Sequence, residues 1–380
     1  MKIAQVTSLF WPKKYRSNEL VICRELAKRG HEVTVLTADE PSREYYMLAD
    51  YAPKEEMYEG FRIKRFPAGL HFGNMLLIPD LMPFLLRSDF DLINSHEFFA
   101  PCSFYSAIAS KVKKTSLVVT QHNDQLFKSS SKNLLYFANA RTVGWSSLRQ
   151  AKKIIALTRA IRSHLLLFGV PSEKICVIPN AIDTETFAPG KQNLLKEKWG
   201  INSPVVLYVG RFAEVKGINY LLKAFPRVLG AVPEAKLILI GGGPLDKELR
   251  EYEKKLHGHV FCMPFVPNDI MPYFYAGCDV VVLPSIEERF GNVTLEAMAC
   301  GKPVVGSCIG GMLDTIVHNE TGLHIQPGNS VQISDSLIRI LKNDSLRDAL
   351  GKNARKKALK DFSYDVVIKQ VEKVYLDALW

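Results

Sequence analysis

The chain lacks a disulfide framework. Its seven cysteines, Cys23, Cys102, Cys176, Cys262, Cys278, Cys300 and Cys308, are odd in number, scattered and free of any C-x-x-C pair. That pattern excludes a zinc ribbon and a stapled secreted domain, and it points to a reducing compartment. Long apolar runs are missing as well. The most apolar region outside the strand-like segments, Leu70–Leu86 (LHFGNMLLIPDLMPFLL), is interrupted by Pro79, Asp80 and Pro83. It falls short of the roughly 20 unbroken apolar residues that a spanning helix needs. The opening residues, MKIAQVTSLF, run straight into a strand pattern without the apolar region and small-residue cleavage site of a secretory signal. A cytoplasmic chain is expected, with the inner face of a membrane as a place it can visit. Neither a P-loop (G-x-x-x-x-G-K-[ST]) nor the dinucleotide fingerprint G-x-G-x-x-G is found. No zinc-finger or aromatic-basic motif accompanies the positive charge, which argues against nucleic acid.

What is present is length, apolar content and alternation. At 380 residues, 47% of them hydrophobic, the chain exceeds what one core usually supports, so two domains are expected. The formal charge is +10, and residues 1–190 hold 25 Lys and Arg against 18 Asp and Glu. A basic first half suits anionic partners such as phosphates or acidic headgroups. Strand patterns at Lys2–Phe10, Glu32–Ala38, Phe61–Phe66, Asp91–His96, Ser116–His122, Lys153–Thr158 and Lys174–Pro179 alternate with helical ones, the signature of a parallel sheet built from βαβ units. After a Pro-, Gly- and charge-rich stretch a second series starts at Val205–Arg211. It continues through Ala235–Gly243, His259–Val266, Asp279–Ser285, Lys302–Cys308 and Gly322–Pro327. The expected organisation is therefore 1–190 as a first α/β domain, 191–203 as linker, 204–361 as a second, and 362–380 as a terminal amphipathic helix.

Two stretches of the second half carry chemistry. GRFAEVKG (Gly210–Gly217) follows a buried-looking strand, and its first glycine permits a sharp turn that presents Arg211 and Lys216 at the sheet edge, where a diphosphate could be gripped. As residues alone, an ordinary turn with two solvated cations is an equal reading. EERFGNVTLEAMACGKP (Glu287–Pro303) places Glu288 in the loop after another buried strand and Glu296 in the first turns of a helix. That helix is expected to begin near Asn292, whose side chain would serve as its N-cap. The free N–H groups of Gly291, Asn292 and Val293 would then point at any phosphate lying there. A carboxylate accepts hydrogen bonds from paired hydroxyls, so one glutamate can hold a ribose and the other a sugar.

Taken together, P-S-x-x-E-x-F-G-x-x-x-x-E-A-M-A-C-G-K-P-V-V (Pro284–Val305), with GRFAEVKG before it and G-G-x-x-D (Gly310–Asp314) and ETG (Glu320–Gly322) after it, resembles the family-4 retaining glycosyltransferases. RGHEVTVLT, DLINSH, VVTQH, VIPNAIDTETFAP and IGGGPL fall in the family's order, so the resemblance covers essentially the whole chain. It implies a GT-B fold: two Rossmann-like doubly wound α/β domains facing across an interdomain cleft, with the last helix crossing back to the first. It implies Arg211 and Lys216 as the diphosphate pair, Glu288 on the donor sugar, and Glu296 on the nucleotide ribose. Phe290, Gly291, Asn292 and Val293 would face sugar and phosphate through their backbone, and Val266 would meet the base. His96 would lie near the reacting sugar, with His122 as its neighbour. The partners implied are a nucleotide-sugar donor, UDP- or GDP-linked, and a glycan, lipid-linked or small-molecule acceptor. Neither a metal nor a further cofactor is implied. The Leu70–Leu86 region would allow peripheral membrane contact through the first domain.

The sequence departs from the family at one informative place. The first loop, FWPKKYRSNEL (Phe10–Leu20), has no Gly-Gly pair, so Lys14, Arg16 or Asn18 would replace close backbone approach with side-chain contacts, or the loop would serve the acceptor. Pro264, Ala181 and Asp314 also stand where other residues are common. Three rivals remain at this point: a nucleotide-sugar epimerase on a related scaffold, a noncatalytic nucleotide-sugar or glycan-binding protein, and a metal-dependent transferase using D-x-D at Asp89–Asp91.

Overall fold

The computed structural model describes residues 1–12, 17–40, 53–72, 75–123 and 139–380. The chain divides into two compact units, the first formed by Met1–Pro179 with Val367–Trp380 and the second by Asn180–Val366. The boundary thus falls before the expected linker, and hydrogen bonding explains why. Arg355 donates to the carbonyls of Thr184 and Phe187, and Asn180 donates to Asn292. These bonds tie 180–187 to the second unit. The stretch expected as linker contains a short helix, Leu194–Trp199, capped by the Asn193 side chain and closed by Gly200 in the left-handed conformation. Leu195 of that helix is fully buried.

The first unit is built on an eight-stranded sheet. In chain order its strands are β1 (Lys2–Val6), β2 (Glu32–Ala38), β3 (Glu55–Tyr58), β4 (Phe61–Phe66), β7 (Leu92–His96), β8 (Ser116–Gln121), β9 (Lys153–Ala156) and β10 (Ile175–Val177). A two-residue ribbon, β5 (His71–Phe72) with β6 (Met75–Leu76), lies apart from it. The sheet order is β10-β9-β8-β7-β1-β2-β4-β3, parallel except for β3 against β4. The central strands are buried on both faces, and β7 and β8 are buried at every residue, as a parallel sheet covered by helices requires. β3 escapes a periodicity search because Glu55 and Glu56 open it and it is half exposed.

The apolar Leu70–Leu86 region is spent largely on the interior. Leu76, Ile78, Leu81 and Leu85 are buried, the last two on the helix Leu81–Arg87, while Leu70 is exposed. Among the described residues no helix is long and apolar enough to cross a membrane. Val367–Trp380, the main part of the last helix, belongs to the first unit. The Tyr375 hydroxyl accepts from Gln5 Nε2 at 2.9 Å, the Ala378 carbonyl accepts from Ser116 Oγ at 2.7 Å, and Glu372 lies 2.7 Å from His31 Nε2.

The second unit holds six parallel strands, β11 (Val205–Val209), β12 (Lys236–Ile240), β13 (Val260–Met263), β14 (Val280–Leu283), β15 (Val304–Ser307) and β16 (Gly322–Ile325). Their order is β13-β12-β11-β14-β15-β16. Val206, Tyr208, Leu237, Leu239, Val280 and Val282 pack with Leu221, Phe225, Ile333 and Leu337 into one core. Each such side chain contributes about 1.5–3 kcal/mol on burial.

The order reverses direction in both sheets. In the second unit β11 sits between β12 and β14, and in the first β1 sits between β2 and β7. Crossovers on the two sides of such a point leave the sheet in opposite directions, which opens a crevice at the carboxyl ends of the strands.

Candidate active site

In the second unit the loops beside this crevice follow β11 and β14, and these are the two stretches singled out in the sequence. The turn after β11 carries Arg211, and a single 3₁₀ turn, Glu214–Lys216, carries Lys216. Gly217 ends that turn with φ +66°, and a β-carbon on it would lie 1.8 Å from the carbonyl oxygen of Pro284. Only glycine lets the two loops touch there. The backbone N–H groups of Ile286 and Glu287 both donate to the Val215 carbonyl, at 2.9 and 3.1 Å. On its other side the β14 loop meets Gly310, where a β-carbon would lie 2.0 Å from the Glu288 carbonyl, and Gly311, whose N–H donates to Arg289. The Glu288 loop is thereby clamped between two glycine turns.

Lys216 and Glu288 come together as a result. Lys216 Nζ lies 2.8 Å from Glu288 Oε2, the same oxygen accepts from Ser285 Oγ at 3.1 Å, and Oε1 accepts from the Arg289 N–H at 3.2 Å. The Glu288 side chain is only 10% exposed and that of Lys216 27%, so the pair is partly withdrawn from water and its charge is held in place. Tyr208, at the base of the same loop, donates its hydroxyl proton to the Arg211 carbonyl at 2.9 Å. Burial pushes its phenol well up, with the Glu288 charge adding and the Arg211 charge opposing. Arg211, Lys216 and Glu288 therefore belong to one neighbourhood.

Glu296 lies one turn into the helix Asn292–Ala299. Its Oε2 accepts from the Tyr275 hydroxyl at 2.7 Å, and burial first, then the carboxylate, raises that phenol far above its ordinary range. Ser285 is the serine of the P-S-x-x-E stretch, but its bond to Glu288 was not anticipated, and Tyr275 lies outside both stretches. The expected cap is corrected: the residue before the helix is Gly291 in the left-handed conformation with no side-chain cap, and the Asn292 oxygen instead accepts from Asn180 Nδ2 at 2.8 Å. A glycine cap leaves the helix N–H groups uncovered by any side chain of the cap residue. Thr294 Oγ1, in the first turn, is buried without a hydrogen-bond partner. Phe290 is buried, its Cα and carbonyl oxygen each 2.7 Å from where a β-carbon on Gly311 would stand, and Val293 is half-buried. Val266 follows β13, an edge strand two positions away from β11, beside Phe265, which is 75% exposed.

In the first unit Lys14 and Arg16 lie outside the described residues. Asn18 is the first residue of the helix Asn18–Lys28, whose N-cap is Ser17. His96 ends β7 and His122 follows β8, so both stand at the carboxyl edge of the sheet beside its reversal. His96 is 3% exposed. Its Nδ1 is 2.8 Å from His122 Nε2, and its Nε2 is 3.0 Å from Gln5 Oε1. The two rings stack with centroids 5.1 Å apart. Glu19, not anticipated from the sequence, brings Oε1 to 3.4 Å from His122 Nε2 and 3.8 Å from His96 Nδ1. Burial lowers the His96 pKa to about 3, against a smaller upward pull from Glu19, with His122 adding to the depression. Burial alone would raise the Glu19 carboxyl; His122 and His96, with hydrogen bonds from its own backbone and from Ser17, outweigh it and hold the carboxyl below its usual range. His96 is neutral and Glu19 ionised at neutral pH.

Glu19, His96 and His122 are also the described residues whose donor atoms cluster closely enough to be considered for a metal, all within 4.8 Å. Two imidazole nitrogens on a tetrahedral zinc, each about 2.0–2.1 Å from the ion, would stand roughly 3.3 Å apart. The observed 2.8 Å is a hydrogen-bond distance, and the cluster is arranged as a hydrogen-bonded chain. The D-x-D pair lies at the other edge of the sheet. Asp91 Oδ2 accepts from the Lys2 N–H at the start of β1, and Asp89 is 3.9 Å from Lys2 Nζ.

Comparison with known proteins now decides the class. The model for glycosyltransferase family 4 matches residues 20–186, and the model for glycosyl transferases group 1 matches residues 191–357. Together they span most of the chain, which belongs to this group of glycosyltransferases and is a transferase. A glycosyltransferase of Methanocaldococcus jannaschii without an assigned substrate is 27% identical, covering 100% of this chain and 99% of its own length. N-acetyl-alpha-D-glucosaminyl L-malate synthase of Bacillus anthracis is 25% identical over 94% of this chain and 92% of its own. Among solved structures, Anabaena HepE in complex with UDP superposes with a TM-score of 0.80 at 22% identity, covering 99% of this chain and 100% of HepE. The fold is GT-B.

Proposed function

We propose that this chain moves a sugar from a nucleoside diphosphate sugar, UDP- or GDP-linked, to a hydroxyl of a glycan, lipid-linked or small-molecule acceptor, with retention at the anomeric carbon. The observation that carries the reading is the clamped Lys216–Glu288 pair at the sheet reversal, with Arg211 on the same turn. Negative charge develops on the diphosphate as the leaving group departs. Arg211, Lys216 and the uncovered N–H groups of the helix Asn292–Ala299 supply preorganised positive potential for it, so no metal is required at the phosphates. Glu288 Oε1 has acceptor capacity for a donor-sugar hydroxyl, and Glu296, held by Tyr275, for the ribose. Among the side chains described around this pair, no carboxylate is disposed as a nucleophile for double displacement, which favours a same-face route. The excess of basic residues in 1–190 suits an acceptor with an anionic group, and the Bacillus anthracis relative is by its name a synthase of N-acetyl-alpha-D-glucosaminyl L-malate. HepE, crystallised with UDP, makes uridine the first nucleotide to try.

The test is a thermal-shift panel of UDP-, GDP-, ADP- and CMP-sugars, with and without Mg²⁺ or Mn²⁺. A ligand at 100 times its Kd stabilises by about 2.7 kcal/mol. One nucleotide class should stand out, the metals should not strengthen it, and Lys216→Ala should cut the shift by about half or more. Equal shifts from all four, or a shift that needs Mn²⁺, would overturn the reading. Conversion of the donor sugar without any acceptor would indicate an epimerase instead.

A further inference from the structure

We propose that Glu19 Oε1, His96 Nδ1 and His122 Nε2 are a binding site for a divalent transition-metal ion of the zinc class. All three residues belong to the first unit, so the inference stands apart from the transfer reading and from the diphosphate grip of the second unit. Three segments converge on the site: the first turn of the helix Asn18–Lys28, the end of β7, and the residue after β8. Their donor atoms all lie within 4.8 Å of one another, and among the described residues no other group of three His, Cys, Asp or Glu side chains comes so close. Two imidazoles with one carboxylate suit zinc and its transition-metal neighbours, whereas Mg²⁺ and Ca²⁺ favour oxygen ligands alone.

The distances show how an ion would fit. Ligand atoms on one tetrahedral zinc stand roughly 3.3 Å apart, and the three edges here, 2.8, 3.4 and 3.8 Å, straddle that value. The short edge is the hydrogen bond between the two rings. Exchanging its hydrogen for an ion asks the nitrogens to part by about 0.5 Å. That hydrogen moves to the far nitrogen of whichever ring carries it, so both imidazoles stay neutral and either starting tautomer reaches the same end. A metal on His96 Nδ1 puts the ring hydrogen on Nε2, where Gln5 Oε1 stands 3.0 Å away to accept it. Asn94 Nδ2 lies 3.2 Å from the same nitrogen and has Gln5 Oε1, at 2.8 Å, as acceptor for its own hydrogen. Gln5 is held in this orientation by donating through Nε2 to the Tyr375 hydroxyl at 2.9 Å. An outer partner of this kind fixes the orientation of a metal-bound imidazole. His96 forms the buried floor, while Glu19 and His122 keep 20% and 17% of their side chains exposed and leave an entry path.

The experiment titrates the full chain, first stripped with chelator, with Zn²⁺ and with Co²⁺ in the presence of excess Mg²⁺. It uses wild type, Glu19→Gln and His122→Gln, and the melting temperature of each is recorded with and without the ion. Wild type should bind one ion per chain, and Zn²⁺ should raise its melting temperature. Bound Co²⁺ should show the d–d absorption of a low-coordinate site and no thiolate charge-transfer band, which separates this site from Cys176 and Cys308, the two thiols that are not fully buried. Without the ion both variants should melt as wild type does. With it they should bind about 100-fold more weakly or worse, at or beyond the usual cost of losing an outer partner, and gain no melting temperature. Absence of saturable binding in wild type, a thiolate band, or wild-type affinity in either variant would overturn the proposal and leave the transfer reading untouched.

Discussion

The two candidate sites occupy equivalent places in their sheets and are built by opposite means. Each stands at the carboxyl ends of the strands where the order reverses, between β11 and β14 in the second unit and between β1 and β7 in the first. In the second unit the work is done by backbone: Gly217, Gly310 and Gly311 let three turns approach to contact, and Glu288 is carried into place by the loop they clamp. In the first unit it is done by side chains. Gln5, Asn94, His96, Thr120, His122 and Tyr375 form a buried hydrogen-bonded chain from four elements. One kind of site is intolerant of added volume, whereas the other is intolerant of a lost partner or a gained proton.

Substitutions can sharpen that contrast. Gly217→Ala should have the largest effect, because its β-carbon would lie 1.8 Å from a carbonyl oxygen of the Glu288 loop. Donor binding should vanish and the second unit should lose several kcal/mol, read as a lowered denaturation midpoint. Gly258 supplies the control, with φ +78° and nothing within 4 Å of a β-carbon. Gly258→Ala should cost only about 1–2 kcal/mol of left-handed strain and leave donor binding intact.

The first unit should be the acid-sensitive one. Burial holds His96 near pKa 3 when folded, against the ordinary 6.5. Below pH 6.5 the unfolded chain takes up a proton that the folded chain refuses, so stability falls as pH drops from 6.5 toward 3. The slope approaches about 1.4 kcal/mol per pH unit. Glu19, whose carboxyl is lowered from 4.5, adds loss in the same direction below that value. Hydrogen exchange should show the loss in β7 and β8, and His96→Gln should flatten the slope above pH 4.5. A smaller effect is expected from Tyr375→Phe, which strands the Gln5 amide inside the unit and should cost about 1–3 kcal/mol without changing nucleotide affinity.

How much could be read from the sequence follows the same division. The second site was legible because its parts are contiguous: a strand, a turn with Arg211 and Lys216, another strand, a loop with Glu288, and a helix with Glu296. The pairing of Lys216 with Glu288 follows once β11 and β14 are neighbours. What pattern could not show was which side chain caps what. Asn292 looked like an N-cap and pairs with Asn180 instead, because Gly291 takes the left-handed turn itself. In the first unit His96 and His122 were visible at strand ends, but Glu19 was not. Its role depends on where a helix start lies relative to two strands distant in the chain, and no spacing rule encodes that. The compact units divide at Asn180, ahead of the expected boundary, for a related reason. Pro, Gly and charge between Asp183 and Pro204 resemble a linker, yet Arg355 binds the carbonyls of that stretch from far along the chain.

The central claim is that the second unit grips a nucleoside diphosphate through Arg211 and Lys216, and equilibrium titration with UDP and GDP tests it most directly. Arg211→Ala and Lys216→Ala should each weaken the preferred nucleotide 10- to 100-fold, the loss of one charged hydrogen-bonding partner, while Glu288→Gln should change its affinity less than three-fold. Unaltered affinity in both cation variants would contradict the account.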